Sequence, residues 1–202
     1  MKFRDELQKI PAGFRALILK GRLSASLVEV IIRLTFVYQR TKLERAPSGL
    51  IIDLPYSTQP VFRTFQEACP ALDATGPSKE KLTTMAILLY CGIGFDSAPI
   101  SSNGGLAARA ELLKMYKLYE WEPQLSEEKE LLFWIWIVTI CSWQKASGRG
   151  LLPPGIELLR NLWQGSGNLK EWKDAEAILQ KFFWNQRLSE LCIVEFERCK
   201  PR

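Results

Sequence analysis

The sequence predicts an all-α protein, an irregular helical bundle of about eight helices around a central apolar helix at residues 127–144. Apolar residues recur at helical spacing along most of the chain, and no stretch of useful length alternates as a strand would. The run Leu131 to Trp143 is apolar on both sides of a helical wheel, and such a helix is surrounded by protein. With 202 residues, 47% of them hydrophobic, the chain can bury a sizeable core.

The N-terminal part predicts a short helix followed by a longer one. The short helix lies between two turn signals, Pro11 to Phe14 and Gly21 to Ser24. The longer helix begins at Ser24 or at Ser26, and Ser26 would form a capping box with Glu29. The apolar side of this helix repeats at helical spacing as Leu27, Val30, Ile31, Leu34 and Tyr38.

The middle of the chain predicts three further helices, which prolines and glycines separate. The first spans about 59–68. The second has Ser78 as its N-cap and ends near Gly92 and Gly94, and the third spans 106–119.

Two breaks in the middle of the chain bear on its domain organisation. The residues from Leu50 to Ile52 follow a break at Pro47 to Gly49 and are too few to distinguish a strand from a helical turn. The loop 95–105 is rich in glycine and serine and is the candidate for a lobe boundary. The whole chain, residues 1–202, is otherwise predicted to be a single helical domain.

The C-terminal part predicts the central helix and three helices after it. Ser126 is the predicted N-cap of the central helix, with acidic residues in the first turn where they complement the helix dipole. A short helix at 155–163, a helix from 169 to about 184 and a last helix at 189–199 follow. The apolar residues of the helix at 169–184 are in strict helical phase: Ala175, Ile178, Leu179, Phe182 and Phe183.

The formal net charge of +5 is unevenly distributed. Residues 1–45 carry a net charge of +6, so the basic character belongs to the N-terminal quarter. A basic segment attracts phosphate groups or an acidic protein surface. These lysines and arginines are spaced singly rather than clustered, which favours a solvated helical face over a phosphate site.

The residue types exclude several kinds of site. The chain has no histidine, which removes Ser-His-Asp and Cys-His catalysis and every zinc site that needs imidazole. No phosphate-binding glycine loop occurs, and the sequence predicts no cofactor or metal site. Two groups of acids lie in predicted first turns of helices, where dipole complementarity is favoured over acid-base catalysis: Glu127, Glu128, Glu130, Glu171, Asp174 and Glu176.

The cellular compartment is predicted from the apolar runs and the cysteines. The central apolar run is 13 residues long, shorter than the roughly 20 that cross a membrane, so no membrane contact is expected. Asp5 and Glu6 occupy the place where a signal peptide has its apolar core. An intracellular protein with reduced, buried thiols is predicted from five scattered cysteines: Cys69, Cys91, Cys141, Cys192 and Cys199.

Seven tryptophans are the richest feature of the composition. Large aromatic side chains stabilise a core when they are buried, and they also line apolar ligand pockets. The core interpretation is favoured, and a pocket for a small apolar effector is the alternative. Its candidate lining residues are Trp134, Trp136, Trp143 and Trp184.

Several segments together resemble one known family. They are LLFWIWIVTICSW at 131–143, RNLW at 160–163, LKEWKDAEAILQKFFW at 169–184, and PAGF at 11–14 with GRLS at 21–24. The chain resembles the C-terminal part of the fungal-specific transcription factor domain, the regulatory region of fungal zinc-cluster regulators. The family's pattern of a tryptophan, an Ile-Leu pair and an aromatic end is matched by Trp172, Ile178, Leu179, Phe182, Phe183 and Trp184.

The resemblance implies a non-enzymatic regulatory domain in the nucleus. It implies homodimers or heterodimers with zinc-cluster regulators, contacts with coregulators, or a small apolar effector. Members of the family carry a six-cysteine zinc cluster that enters the DNA major groove, and this chain does not contain that cluster. No sequence-specific DNA binding is therefore expected from this chain alone.

Two alternatives to this function follow from the same residues. One is a helical enzyme or carrier with a tryptophan-lined pocket for an apolar metabolite. The other is a stand-alone interaction protein that pairs with a full-length regulator and blocks it.

Overall fold

The computed structural model describes residues 2–44, 78–94, 124–147 and 171–199, and five single residues: Ala110, Leu112, Lys114, Glu157 and Arg160. Helix makes up 82% of the described residues and none of them lies in a strand, so the predicted all-α class is confirmed. Seven helices lie in the continuous described ranges: α1 (Lys2–Lys9), α2 (Ala12–Leu19), α3 (Ala25–Glu44), α4 (Lys79–Gly94), α5 (Ser126–Ser147), α6 (Trp172–Leu179) and α7 (Gln186–Cys199).

Some predicted elements lie outside the described residues. These are the helix at 59–68, the short run at 50–52 and the loop at 95–105. The predicted helices at 106–119 and 155–163 are described only at single positions, and each of those positions is helical. The total number of helices and their arrangement as a bundle therefore stay predictions.

The central helix α5 is buried along most of its length. Every residue from Phe133 to Ser142 is buried, and α5 contacts α2, α4, α6 and α7. The hydroxyl groups of Thr139 and Ser142 donate hydrogen bonds of 2.7 Å to carbonyl oxygens of α5 itself. Because these bonds satisfy the two polar side chains, the helix can be surrounded by apolar neighbours on all sides. The prediction that protein surrounds this helix is confirmed for these residues.

Two of the predicted helix starts are confirmed by their capping hydrogen bonds. The hydroxyl oxygen of Ser24 accepts the backbone N–H of Leu27 at 3.3 Å at the start of α3. The hydroxyl oxygen of Ser78 accepts the backbone N–H of Lys81 at 3.1 Å at the start of α4. Each serine thus satisfies one of the N–H groups that the first turn of a helix leaves without a partner.

The predicted N-cap of α5, Ser126, is wrong. Its hydroxyl group donates a hydrogen bond of 3.2 Å to the carboxylate of Glu127 instead. The carboxylate of Glu128 turns back and accepts the backbone N–H groups of Gln124 at 3.1 Å and Leu125 at 3.4 Å. This is the acidic half of a capping box, so the start of α5 is fixed by Glu128 rather than by a serine.

The helix predicted from 169 to about 184 is shorter than expected. The helix α6 ends at Leu179, and Phe182, Phe183 and Trp184 follow it in a turn in which all three are buried. Successive residues of a helix are rotated by about 100° around its axis. Three consecutive residues of a surface helix therefore cannot all point into the same core. The turn directs all three aromatic rings inward.

The last helix also begins earlier than its predicted start at Ser189. The side-chain oxygen of Asn185 accepts the backbone N–H of Leu188 at 3.1 Å, which makes Asn185 an N-cap. The helix α7 therefore begins at Gln186.

The aromatic core joins α2, α4, α5 and the turn after α6. The ring of Phe14 lies 5.4 Å from Trp134, 5.0 Å from Phe182 and 5.1 Å from Phe183, measured between ring centroids. Tyr90 of α4 stacks on Phe183 at 5.7 Å. Edge-to-face and offset contacts of this kind add to the stabilisation that burial alone supplies.

The prediction that the cysteines are reduced is wrong for one pair. A disulfide bond joins Cys141 of α5 to Cys192 of α7, two residues that are 51 positions apart in the sequence. Both belong to the buried core, where the packing of the two helices brings them together. Cys91 is free and buried, and burial raises the pKa of its thiol.

Candidate interaction groove

The structure places three of the four candidate pocket tryptophans inside the core. Trp134, Trp136 and Trp184 are buried, whereas Trp143 belongs to α5 and its side chain lies outside the described part. The indole N–H of Trp134 donates to the carbonyl oxygen of Phe183 at 3.0 Å, next to Trp184 in the chain. The indole N–H of Trp184 donates to a serine hydroxyl at 2.9 Å. A common effector pocket of the four stays a prediction.

The acids at the start of α5 hold neighbouring segments together. Glu127 pairs with Lys20 at 2.7 Å, and Glu130 pairs with Lys181. The hydrogen bond from Lys20 lowers the pKa of Glu127. These pairs join α5 to the ends of α2 and α6, which supports the structural interpretation of the two carboxylates.

Glu128 is the most enclosed of these acids. Its carboxylate lies 3.0 Å from the ammonium group of Lys79 and 3.3 Å from the guanidinium nitrogen Nε of Arg22. Burial raises its pKa, but the hydrogen bonds from Lys79 and from the backbone of Gln124 and Leu125 outweigh burial, so the pKa is lowered. The ionised carboxylate therefore links three segments of the chain.

The second group of acids, at the start of α6, lies beside an open groove. The backbone N–H of Glu171 donates to the carboxylate of Asp174 at 3.0 Å, which fixes the first turn of α6. The carboxylate of Glu176 accepts the hydroxyl of Ser189 on α7. These acids were predicted to complement the helix dipole; in the structure Asp174 lies in the first turn of α6 and caps it, whereas Glu176 connects the two helices.

The groove runs between α6 and α7 and has a volume of about 450 Å³. Four glutamates and one lysine are among the described residues that line it, and together these five carry a net negative charge, although the whole chain is positively charged. The described residues that line it are Glu171, Trp172, Lys173, Glu176, Gln186, Ser189, Glu190, Ile193 and Glu197.

The groove also presents apolar surface. Trp172 is buried and packs edge to face on Phe196, with the ring centroids 5.1 Å apart. Ile193 is 40% exposed, and Val194 next to it on α7 is 50% exposed. An isoleucine between carboxylates gives the groove an apolar contact point with an acidic border.

The helix α7 supplies one regular wall of the groove. Gln186, Glu190, Ile193 and Glu197 follow one another at intervals of four, three and four residues, which places them on one face of the helix. This spacing was a signal that the sequence contained. The spacing alone does not predict a groove, because the opposite wall, α6, lies beside this face only in the folded chain.

The described part of the chain contains neither a metal-binding cluster nor a membrane-spanning helix. Among the described residues no group of three or more cysteine, aspartate or glutamate side chains is arranged to hold a metal ion. In that same part of the chain, no helix has the length and apolar character needed to cross a membrane.

Comparisons with known proteins returned no relative. No family model, no curated protein and no solved structure matches the chain.

Proposed function

We propose that this chain is a non-enzymatic regulatory domain that acts in the nucleus through contacts with other proteins. The proposal follows the resemblance of its segments to the fungal-specific transcription factor domain. Its partners would be zinc-cluster regulators or coregulators of transcription, and the chain alone would not bind DNA in a sequence-specific way.

The groove between α6 and α7 is the single observation that supports this proposal best. It is an open surface in which carboxylates border the exposed Ile193. Protein interfaces combine an apolar centre with a polar border in this way. The tryptophans Trp134 and Trp184 use their indole N–H groups within the protein, which supports a core role for both.

Isolation of the tagged chain from its own cells, followed by mass spectrometry of the proteins bound to it, tests the proposal. We expect enrichment of a zinc-cluster regulator or a transcriptional coregulator over a tag-only control, together with nuclear location of a fluorescent fusion. Exclusion of the fusion from the nucleus, or turnover of a metabolite by the purified chain, would contradict the proposal.

A further inference from the structure

We infer that the groove between α6 and α7 binds a basic, amphipathic helical segment of a partner protein. This inference deepens the proposed function and rests on it, because it names the chemistry of the partner and the surface that receives it. It commits to a polypeptide with lysine or arginine on both sides of an apolar residue.

The charge of the groove favours a basic partner. Among the described residues that line the groove, the charged ones are Glu171, Lys173, Glu176, Glu190 and Glu197, which together carry a net charge of −3. The whole chain has a net charge of +5. At physiological ionic strength charges are screened beyond about 8 Å, so a partner in the groove experiences mainly the local carboxylates.

The apolar part of the groove favours a polypeptide over a simple cation. Ile193 is 40% exposed and lies between Glu190 and Glu197 on the same face of α7. A partner side chain such as leucine gains free energy by covering this isoleucine, whereas an inorganic cation does not.

The spacing of the wall residues sets the spacing expected in the partner. Glu190 and Glu197 are seven residues apart, or about 10 Å along the helix axis. A helix packed alongside α7 presents basic residues at the same interval when they are also seven positions apart. An apolar residue three or four positions after the first basic residue then faces Ile193, which is the pattern of helix-in-groove recognition.

Fluorescence anisotropy with a labelled synthetic peptide tests the inference on the full chain. The peptide is a helical 14-residue sequence with lysines seven positions apart and a leucine between them, and its control has glutamates in place of the lysines. We expect saturable binding of the basic peptide that weakens as salt is added, and no binding of the acidic one.

Charge-reversal variants distinguish binding at the groove from attraction by the net charge of the whole protein. The variant E190K/E197K is expected to weaken peptide binding about tenfold or more, because two attractions become repulsions. The matched control D5K/E157K changes the net charge by the same amount at exposed sites outside the groove and is expected to change binding less than about twofold. Circular dichroism checks that both variants are folded, and E190K alone replaces the double variant if the latter does not fold.

Several results would overturn the inference. These are no binding of the basic peptide, equal weakening by both pairs of substitutions, or equally tight binding of spermidine, which would make the site one for a small polycation. Self-association of the chain that E190K/E197K abolishes would make a second copy the occupant. If the basic peptide binds but no regulator or coregulator is recovered from cells, the binding role of the groove is supported and only the proposed function is contradicted.

Discussion

The backbone N–H of Gly13 donates a hydrogen bond of 2.6 Å to the carbonyl oxygen of Lys181. This contact joins the PAGF segment at 11–14 to the KFFW segment at 181–184, two segments that the resemblance had connected only through family pattern. The adjacent residue Phe14 lies between the rings of Trp134, Phe182 and Phe183. The two segments therefore form one packed unit on α5.

Replacement of Gly13 by alanine should destabilise this unit. A Cβ atom at Gly13 would lie 2.6 Å from the ring of Phe182 and 2.9 Å from the carbonyl oxygen of Lys181, both closer than van der Waals contact allows. We expect a loss of about 1 to 3 kcal/mol in the free energy of unfolding, measured by urea denaturation. The control Ala12→Ser adds one atom at an exposed site of the same helix, and it should change the free energy of unfolding by less than about 0.5 kcal/mol. Equal stability of Gly13→Ala and the wild type would contradict this packing.

Replacement of Trp134 by alanine tests the core role of the central helix. Trp134 is fully buried, so we expect a loss of about 3 to 5 kcal/mol in the free energy of unfolding. Trp134→Phe keeps most of the packing but leaves the carbonyl oxygen of Phe183 without its indole donor, and should cost about 1 to 3 kcal/mol. A stable Trp134→Ala variant that has lost only the binding of an apolar compound would instead place this residue in an effector pocket.

The disulfide between Cys141 and Cys192 should be detectable in the purified protein. Digestion without reductant should yield a linked pair of peptides that separates after reduction. The double variant C141S/C192S should lose about 2 to 4 kcal/mol of stability, because the bond restricts a long loop in the unfolded chain. Its stability should no longer depend on reductant, whereas that of the control Cys91→Ala should. Recovery of both residues as free thiols would contradict the bond.

The carboxylate of Glu128 should make stability depend on pH in the acid range. Its pKa in the folded protein is lowered from the ordinary glutamate value of about 4.3 in the unfolded chain. Its contribution is thus present above the unfolded pKa and is lost as the pH falls through the lower folded pKa. Urea denaturation between pH 7 and pH 3 should show a shallower decline for Glu128→Gln than for the wild type. Lys79→Met removes an ion partner and should cost more stability at pH 7 than at pH 3.

The parts of the fold that depend on local signals were predictable from the sequence. The caps Ser24 and Ser78 and the buried run of α5 all follow from residues close to one another in the chain. The predicted cap Ser126 was wrong because Ser126 is already the first residue of α5, and the carboxylate of Glu128 accepts the N–H groups of Gln124 and Leu125 just before it.

The parts that depend on distant contacts were not predictable. The aromatic residues of the turn after α6 continue the helical period, and only the core contacts with Phe14 and Tyr90 explain why the helix stops before them. The partnership of Cys141 with Cys192 likewise arises from the packing of α5 against α7. One wall of the groove could be predicted from the sequence, because Glu190 and Glu197 lie on one face of a helix. The second wall could not, because it is placed there only by folding.

The most direct measurement of the central claim is transcription from a reporter gene to which the chain is recruited. The chain is fused to an unrelated DNA-binding domain, and reporter output is compared for the wild type, E190K/E197K and D5K/E157K at equal protein levels. We expect the wild type and D5K/E157K to raise or lower reporter output relative to the DNA-binding domain alone, and E190K/E197K to lose most of that effect. A reporter unaffected by the wild-type chain would contradict the proposed function, and an effect fully retained by E190K/E197K would contradict the role of the groove.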